Sequence, residues 1–259
     1  MKHAWGPLLA GLTLLAGGGA VFSACVHDDS TIFVHDALAP KFAQMGSICT
    51  WTPDPMQAFV SSGVLDVALR QTYEGGFLVG NQMVPQVNSN QLQTETSFVT
   101  IQGAVVRVTD KAGKVLGMPF TRLTAATISP SSGGVPGFAP IFVTIVDQKA
   151  LQDSPDVQQL TAGQVGSVRL VTYVRFFGKT TGGQSVESNE FEFPVDVCSG
   201  CLVANYLPPN CVMSPSNMQS GQAQVPCIIG QDLPVDCSLV CGALQGCSTN
   251  SLIADAGAG

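Results

Sequence analysis

The placement of the cysteines constrains the fold of this chain more than any other feature of its sequence. Seven of the nine cysteines lie close to the C-terminus: Cys198, Cys201, Cys211, Cys227, Cys237, Cys241 and Cys247. The residues between them are rich in Pro, Gly, Ser and Asn and include few large apolar side chains. Because such a segment cannot bury enough apolar surface to fold alone, we expect disulfides to hold it together. The other two cysteines, Cys25 and Cys49, lie near the N-terminus.

The first 25 residues have the features of an export signal. Lys2 provides a positive charge, and residues 7–21 form an apolar run without a charged side chain. The run is shorter than the roughly 20 residues that a membrane-spanning helix needs, and it is typical of a secretory signal peptide. Ordinary cleavage after Ala20, with Gly18 two residues before it, would leave a mature chain that begins at Val21.

The end of the signal indicates a different cleavage site. Phe22-Ser23-Ala24-Cys25 resembles the lipobox of bacterial lipoproteins, in which two small residues precede a cysteine that is lipidated on its sulfur. Phe22 stands where that family usually has Leu, Val or Ile. The resemblance implies that residues 1–24 are removed and that Cys25 carries a covalent lipid anchor. It also implies a place on a cell-envelope membrane, the outer membrane, facing the periplasm or the cell surface.

The number of cysteines agrees with this resemblance. Nine is an odd number, so one thiol is left over if all the others form disulfides. If Cys25 is lipidated, the remaining eight can close four disulfides in an oxidising compartment. Because seven cysteines follow residue 197, we expect Cys49 to bridge into that segment, with Cys198 or Cys201 as the preferred partner.

Two cysteine spacings also occur in zinc sites: C-x2-C at Cys198 and Cys201, and C-x3-C at Cys237 and Cys241. We favour disulfides, because an exported chain oxidises its cysteines and the mature histidines, His27 and His35, are far away in sequence. Three aspartates near the mature N-terminus lack the spacing of a calcium-binding loop: Asp28, Asp29 and Asp36. We therefore expect neither a metal site nor a cofactor.

Strand signals fill residues 31–197. The clearest hairpin joins residues 165–177 to residues 185–197. In its second arm the apolar residues Phe191, Phe193, Val195 and Val197 alternate with the acidic residues Glu190, Glu192 and Asp196. With no long helices between the strands, this pattern predicts an antiparallel β-sandwich of immunoglobulin-like or fibronectin-like appearance.

Local features give finer predictions. The alternation changes phase at Gly103, which indicates a β-bulge. Residues 141–146 are β-branched and nearly continuously apolar, which predicts a strand that is buried on both faces or crosses the middle of a sheet. A proline inside residues 149–160 predicts two short helical turns instead of one helix. In residues 64–70, alternation places Asp66 and Arg70 on the water side of a strand.

The sequence thus predicts five parts: a signal peptide at 1–24, a lipidated N-terminus and short tether at 25–30, a β-sandwich at 31–197, a Cys-rich segment packed on the sandwich at 198–247, and a disordered tail at 248–259.

Trp51 is expected to cover a disulfide or a sheet edge, the alternative being an exposed aromatic that stacks on a ligand.

The sequence contains no recognisable catalytic motif. A Ser/His/acid triad would need His27 or His35, which lie beside the anchor. The carboxylates of Glu187, Glu190, Glu192 and Asp196 are expected to be solvated on the polar side of a strand. Without Lys2, the formal net charge of −7 becomes −8, which argues against nucleic acid as a partner and against electrostatic docking on anionic lipid.

We therefore expect an envelope lipoprotein with a non-catalytic structural or protein-binding role. Its expected partners are the membrane, through the lipid, and another envelope protein. A small-ligand or carbohydrate-binding module is the alternative, although its supply of aromatic residues is small. An envelope hydrolase is the third hypothesis.

Overall fold

The fold is built from short strands. The structure, a computed structural model, describes residues 30–44, 49–86, 95–204, 224–236 and 240. In these ranges the elements are β1 (Ile32–Leu38), β2 (Phe42–Gln44), β3 (Phe59–Val60), β4 (Gly63–Asp66), β5 (Tyr73–Asn81), β6 (Val99–Asp110), β7 (Phe120–Ile128), β8 (Gly137–Val146), α1 (Gln148–Gln152), α2 (Pro155–Thr161), β9 (Ser167–Thr180), β10 (Ser185–Glu187), β11 (Phe191–Cys198), β12 (Val203–Ala204), β13 (Gln224–Pro226) and β14 (Val235–Asp236).

Two sheets form the sandwich. The smaller has the strand order β3-β1-β5-β8, and the larger has the order β4-β11-β9-β6-β7, with β10 paired to β9. Neighbouring strands are antiparallel, except that β4 runs parallel to β11. The mainly-β antiparallel sandwich predicted from the sequence is therefore confirmed, with β4 as a parallel edge strand that the prediction did not contain.

Aromatic side chains fill the core between the two sheets. The ring of Phe77, on β5, lies 5.7 Å from those of Phe176 and Phe191 and 6.1 Å from that of Phe193, measured between centroids. Edge-to-face contacts at these distances add to the stabilisation that burial provides. The predicted phase of β11 is confirmed, because Phe193, Val195 and Val197 are buried.

The outer face of the larger sheet carries cross-strand ion pairs. Arg107 pairs with Glu190 at 3.0 Å, Arg175 with Glu187 at 3.2 Å and Arg169 with Asp196 at 2.7 Å. Three carboxylates that the sequence placed in water are thus paired. Exposed pairs of this kind each contribute less than about 1 kcal/mol, so this face is a solvated surface.

Two local predictions are confirmed. The register of β6 with both neighbours shifts between Ile101 and Gly103, which is the expected bulge. A Cβ on Gly103 would lie 2.6 Å from the carbonyl oxygen of Arg122, so only glycine fits this close approach. Two short helices replace one longer helix, and the hydroxyl of Ser154 accepts a hydrogen bond from the Val157 N–H at the start of α2.

Two other predictions are wrong. Residues 141–146 are not buried on both faces, because β8 is an edge strand whose outward side chains Phe142 and Thr144 are only half-buried. The strand predicted over residues 64–70 ends at Asp66. A turn follows, in which the Asp66 carbonyl accepts hydrogen bonds from the N–H groups of Leu69 and Arg70. Asp66 itself is fully buried and does not face water.

Several predicted features lie outside the described residues. These are the signal peptide, Cys25, the tether residues 26–29, the tail at 248–259, and Cys211, Cys237, Cys241 and Cys247.

Candidate functional site

Two disulfides fasten the described part of the Cys-rich segment. Cys49 bridges to Cys227, with 5.9 Å between their Cα atoms, and β13 pairs with β2 beside this bridge. The expected bridge from Cys49 into the C-terminal segment is therefore present. The preferred partners were wrong: Cys198 and Cys201 bridge each other, because the turn after β11 brings their Cα atoms within 5.9 Å.

The carboxylate of Asp66 holds the loop that the second disulfide closes. It accepts hydrogen bonds from the N–H groups of Ala68 at 3.0 Å, Gly200 at 2.7 Å and Leu202 at 2.9 Å. One of its oxygens lies within 4.8 Å of the sulfurs of Cys198 and Cys201, a spacing that metal ligands also have. Since the sulfurs bridge each other and three N–H groups occupy the carboxylate, this cluster organises the loop and offers no free ligand set.

A second polar cluster lies where residues 231–232 meet the sandwich. The Asp232 carboxylate accepts hydrogen bonds from the Val64 N–H at 2.7 Å and the Tyr73 hydroxyl at 2.9 Å. The side-chain amide of Gln231 accepts from the N–H of Glu74 at 2.9 Å and donates to its carbonyl at 2.7 Å. The chain reaches this position through a left-handed backbone at Asp232, with a φ of 62° that short polar side chains tolerate.

Burial governs the electrostatics of this cluster. Burial raises the pKa of the Asp232 carboxyl, although the hydrogen bonds from Val64, Tyr73 and Gln231 oppose the shift. Burial, and then the charge of Asp232, raise the pKa of the Tyr73 hydroxyl far above its ordinary range. The pair thus favours a neutral tyrosine that donates to a carboxyl which holds its proton more tightly than usual.

Asp232→Asn should therefore change how stability depends on pH. A carboxyl whose pKa is raised by folding stabilises the protein while it is protonated, and that contribution is lost as the pH rises through its folded pKa. We expect wild type to lose this contribution between acidic and neutral pH and the variant not to lose it. Urea unfolding of both proteins at pH 4 and pH 7 measures the difference, and an identical pH dependence would contradict the assignment.

A small crevice lies above this cluster, bounded by Lys41, Trp51 and Phe142. The Trp51 ring packs 5.0 Å from that of Phe142, and the Lys41 ammonium lies 5.1 Å above the Trp51 ring. Trp51 thus covers the edge strand β8, as the sequence indicated. The crevice volume of about 20 Å³ suits one water molecule.

A larger groove lies between α1, α2 and the turn after β4. Its volume is about 240 Å³, and we call it the glutamine groove. Val67, Leu151 and Val157 supply its apolar surface. Its polar lining is uncharged and consists of Gln71, Gln148, Gln152, Gln158 and Thr161. No pattern in the sequence indicates this groove, because its walls come from two segments that are far apart in the chain.

The described residues bring together no Ser/His/acid triad. His35 is the only histidine among the described residues. Its Nδ1 lies 2.8 Å from the carboxylate of the adjacent Asp36. Its ring packs edge-on at 5.4 Å from that of Phe138. The other oxygen of Asp36, Oδ1, is buried without a hydrogen-bond partner among the described residues.

No protein-family model matches the chain, and no curated protein matches it significantly. Among the described residues, no helix has the length and apolar character needed to cross a bilayer.

Proposed function

We propose that this protein is an envelope lipoprotein, anchored by a lipid on Cys25, with a non-catalytic structural or protein-binding role. The observation that carries the proposal is the stretch Phe22-Ser23-Ala24-Cys25 at the end of an apolar signal. The described sandwich begins with β1 at Ile32. The five residues 26–30 reach at most about 18 Å when extended, so the lipid would hold the sandwich beside the membrane.

The disulfides support the assignment of Cys25 as the odd cysteine. The two bridges of the described residues use Cys49, Cys227, Cys198 and Cys201. Four cysteines of the Cys-rich segment remain, an even number that can close two more bridges. If they do so, Cys25 is the one cysteine without a disulfide partner, as lipidation of its sulfur requires.

The architecture supports a surface for another envelope protein. The described part of the Cys-rich segment is fixed to the sandwich by the bridge from Cys49 to Cys227 and by the cluster around Asp232, so its loops are held in place on the sandwich. Loops held by a rigid scaffold are common binding surfaces. The acidic chain has no basic stripe, which argues against nucleic acid as the partner.

Cys25→Ser is expected to abolish membrane attachment. The variant lacks the sulfur that would carry the lipid, so it should accumulate unprocessed or appear in the soluble fraction. Fractionation and intact-mass measurement of the N-terminus check this, with Asp29→Ser as the control because it changes the same tether and leaves the cysteine. An unmodified wild-type chain that begins at Val21 would overturn the proposal.

A small-ligand or carbohydrate-binding role is the second candidate, and the glutamine groove favours it. An apolar surface rimmed by neutral amides suits an uncharged polyhydroxylated ligand, since amides donate and accept hydrogen bonds without a charge to desolvate. Calorimetric titration of the soluble Cys25→Ser form with neutral oligosaccharides tests this role independently of the anchor.

A further inference from the structure

The described loops at one end of the sandwich lie together next to the start of the described chain. We call this surface the tether end. At this end β1, β6 and β8 begin, and β5, β7 and β9 finish. It consists of residues 30–31, 82–86, 95–98, 129–136 and 180–184.

Hydrogen bonds join these loops to one another and to the chain that leads to Cys25. The side-chain amide of Gln82 donates to the carbonyl of Ser30 at 2.9 Å, and the N–H of Gln82 donates to that of Thr31 at 3.1 Å. The N–H of Ser131 donates to the carbonyl of Met83 at 2.9 Å. The hydroxyl of Ser97 donates to the carbonyl of Val84 at 3.0 Å. The tether is therefore attached directly to this end.

Large apolar side chains protrude from the tether end. Val84 is 72% exposed, Val135 is 59% exposed and Phe98 is 38% exposed. Among the described residues of these loops, Glu95 is the only one with a charged side chain. Its carboxylate oxygens accept hydrogen bonds from the N–H groups of Ser97 and Gln86. The Ser97 N–H is the main reason that the pKa of Glu95 is lowered. The described surface is thus largely uncharged and apolar at its tips.

The opposite end of the sandwich differs in charge and not in apolar exposure. Met118 is 83% exposed and Val165 is 97% exposed there. The loops and helices of that end also carry many charged residues, namely Asp110, Lys111, Lys114, Asp147, Lys149, Asp153 and Asp156. Contact with an apolar medium would desolvate those charges, whereas Glu95 is the only charged side chain among the described residues of the tether end.

We propose that the tether end lies on the bilayer that holds the lipid of Cys25, with Val84, Val135 and Phe98 inserted at the boundary between headgroups and acyl chains. This inference rests on the proposed function, because the lipid supplies the attachment. A tether of about 18 Å keeps the loops at high local concentration next to the membrane, so a few apolar side chains suffice to orient the domain. Interfacial elements of proteins reach about 5–10 Å into this boundary.

The orientation gives the described part of the Cys-rich segment a defined direction. Its described residues pair with β4, β2 and the turn after β4, on the part of the sandwich away from the tether end. With the tether end on lipid, these described residues lie on the side of the sandwich away from the anchoring membrane. The surface proposed to meet another envelope protein is then presented to the aqueous compartment.

Hydroxyl-radical footprinting of the lipidated full-length protein tests the orientation. The protein is reconstituted on neutral phosphatidylcholine vesicles, and side-chain oxidation is compared with that of the soluble Cys25→Ser form. We expect oxidation of Val84, Val135 and Phe98 to fall about threefold or more on vesicles, as burial at the interface requires. Oxidation of Met118 and Val165 should remain unchanged.

Paired variants provide the control. The double variant Val84→Asp, Val135→Asp should remain anchored through Cys25, but oxidation of its Phe98 should return to the value in the soluble form. Met118→Asp with Val165→Asp places the same charges at exposed positions of the other end and should leave Phe98 protected. Unchanged circular dichroism of both variants verifies that they fold.

The outcomes separate the two proposals. An intact mass without lipid on Cys25 overturns the proposed function. A lipidated protein with equal oxidation at both ends, or with Met118 and Val165 protected, overturns the orientation alone. Protection of Val84 and Phe98 in native envelopes but not on pure lipid vesicles would assign this surface to a protein partner and would also overturn contact with the bilayer.

Discussion

Replacing Phe193 with alanine is expected to lower the free energy of unfolding by about 3 to 5 kcal/mol. The side chain is only 2% exposed, and its ring lies 6.0 Å from that of Tyr73 and 6.1 Å from that of Phe77. Truncation removes apolar surface from the core and leaves a cavity between the two sheets. Denaturant titration of the soluble Cys25→Ser form, with and without the substitution, measures the loss.

Glu192→Ala is the matched control for this substitution. Glu192 neighbours Phe193 on β11 but is exposed on the other face of the sheet. Surface substitutions of this kind change stability by no more than about 0.5 kcal/mol. Equal losses for the two variants would mean that the phase of β11 or the sandwich itself is wrong.

The strands could be predicted because their signals are local. Alternation in β11 fixes which side chains are buried, and the phase change at Gly103 marks the bulge without knowledge of the neighbouring strands. The prediction for β8 failed for a different reason. A nearly continuous apolar run is compatible both with a central strand and with an edge strand whose outer face is covered by Trp51, and only the tertiary arrangement distinguishes them.

The polar clusters could not be found from the sequence, because their members are far apart in it. Asp66 accepts hydrogen bonds from Gly200 and Leu202, and Asp232 accepts them from Val64 and Tyr73. In a strand pattern an aspartate is placed in water by default, since burial of a charge is costly without partners. The partners of Asp66 are backbone N–H groups, which leave no pattern in the sequence.

Cysteine counting had a similar limit. The odd number of cysteines after residue 197 required a bridge to Cys49, which the structure contains. Counting could not choose the partner, because pairing depends on which Cα atoms come within reach. The two cysteines of the C-x2-C pair bridge each other. Cys49 instead bridges to Cys227, the residue that directly follows β13.

Removal of the bridge between Cys49 and Cys227 is the second large effect that we expect. The bridge links residues 178 positions apart, and the chain-entropy estimate gives a loss of about 5 kcal/mol, reduced by residual structure in the unfolded chain. Cys49→Ala with Cys227→Ala removes both thiols, so no free cysteine can form a new pair. Denaturant titration should also give a steeper dependence on denaturant, because the unfolded chain becomes less compact.

Cys198→Ala with Cys201→Ala is the control for loop length. It removes one disulfide and the same number of sulfur atoms, but the two residues are only 3 positions apart. On the same estimate the cost is about 2 kcal/mol, with little change in the dependence on denaturant. Similar losses for the two double variants would show that the Cys49 bridge contributes through local packing. A clearly larger loss for the long-range bridge would identify it as the constraint that keeps the Cys-rich segment on the sandwich, since that segment lacks a core of its own.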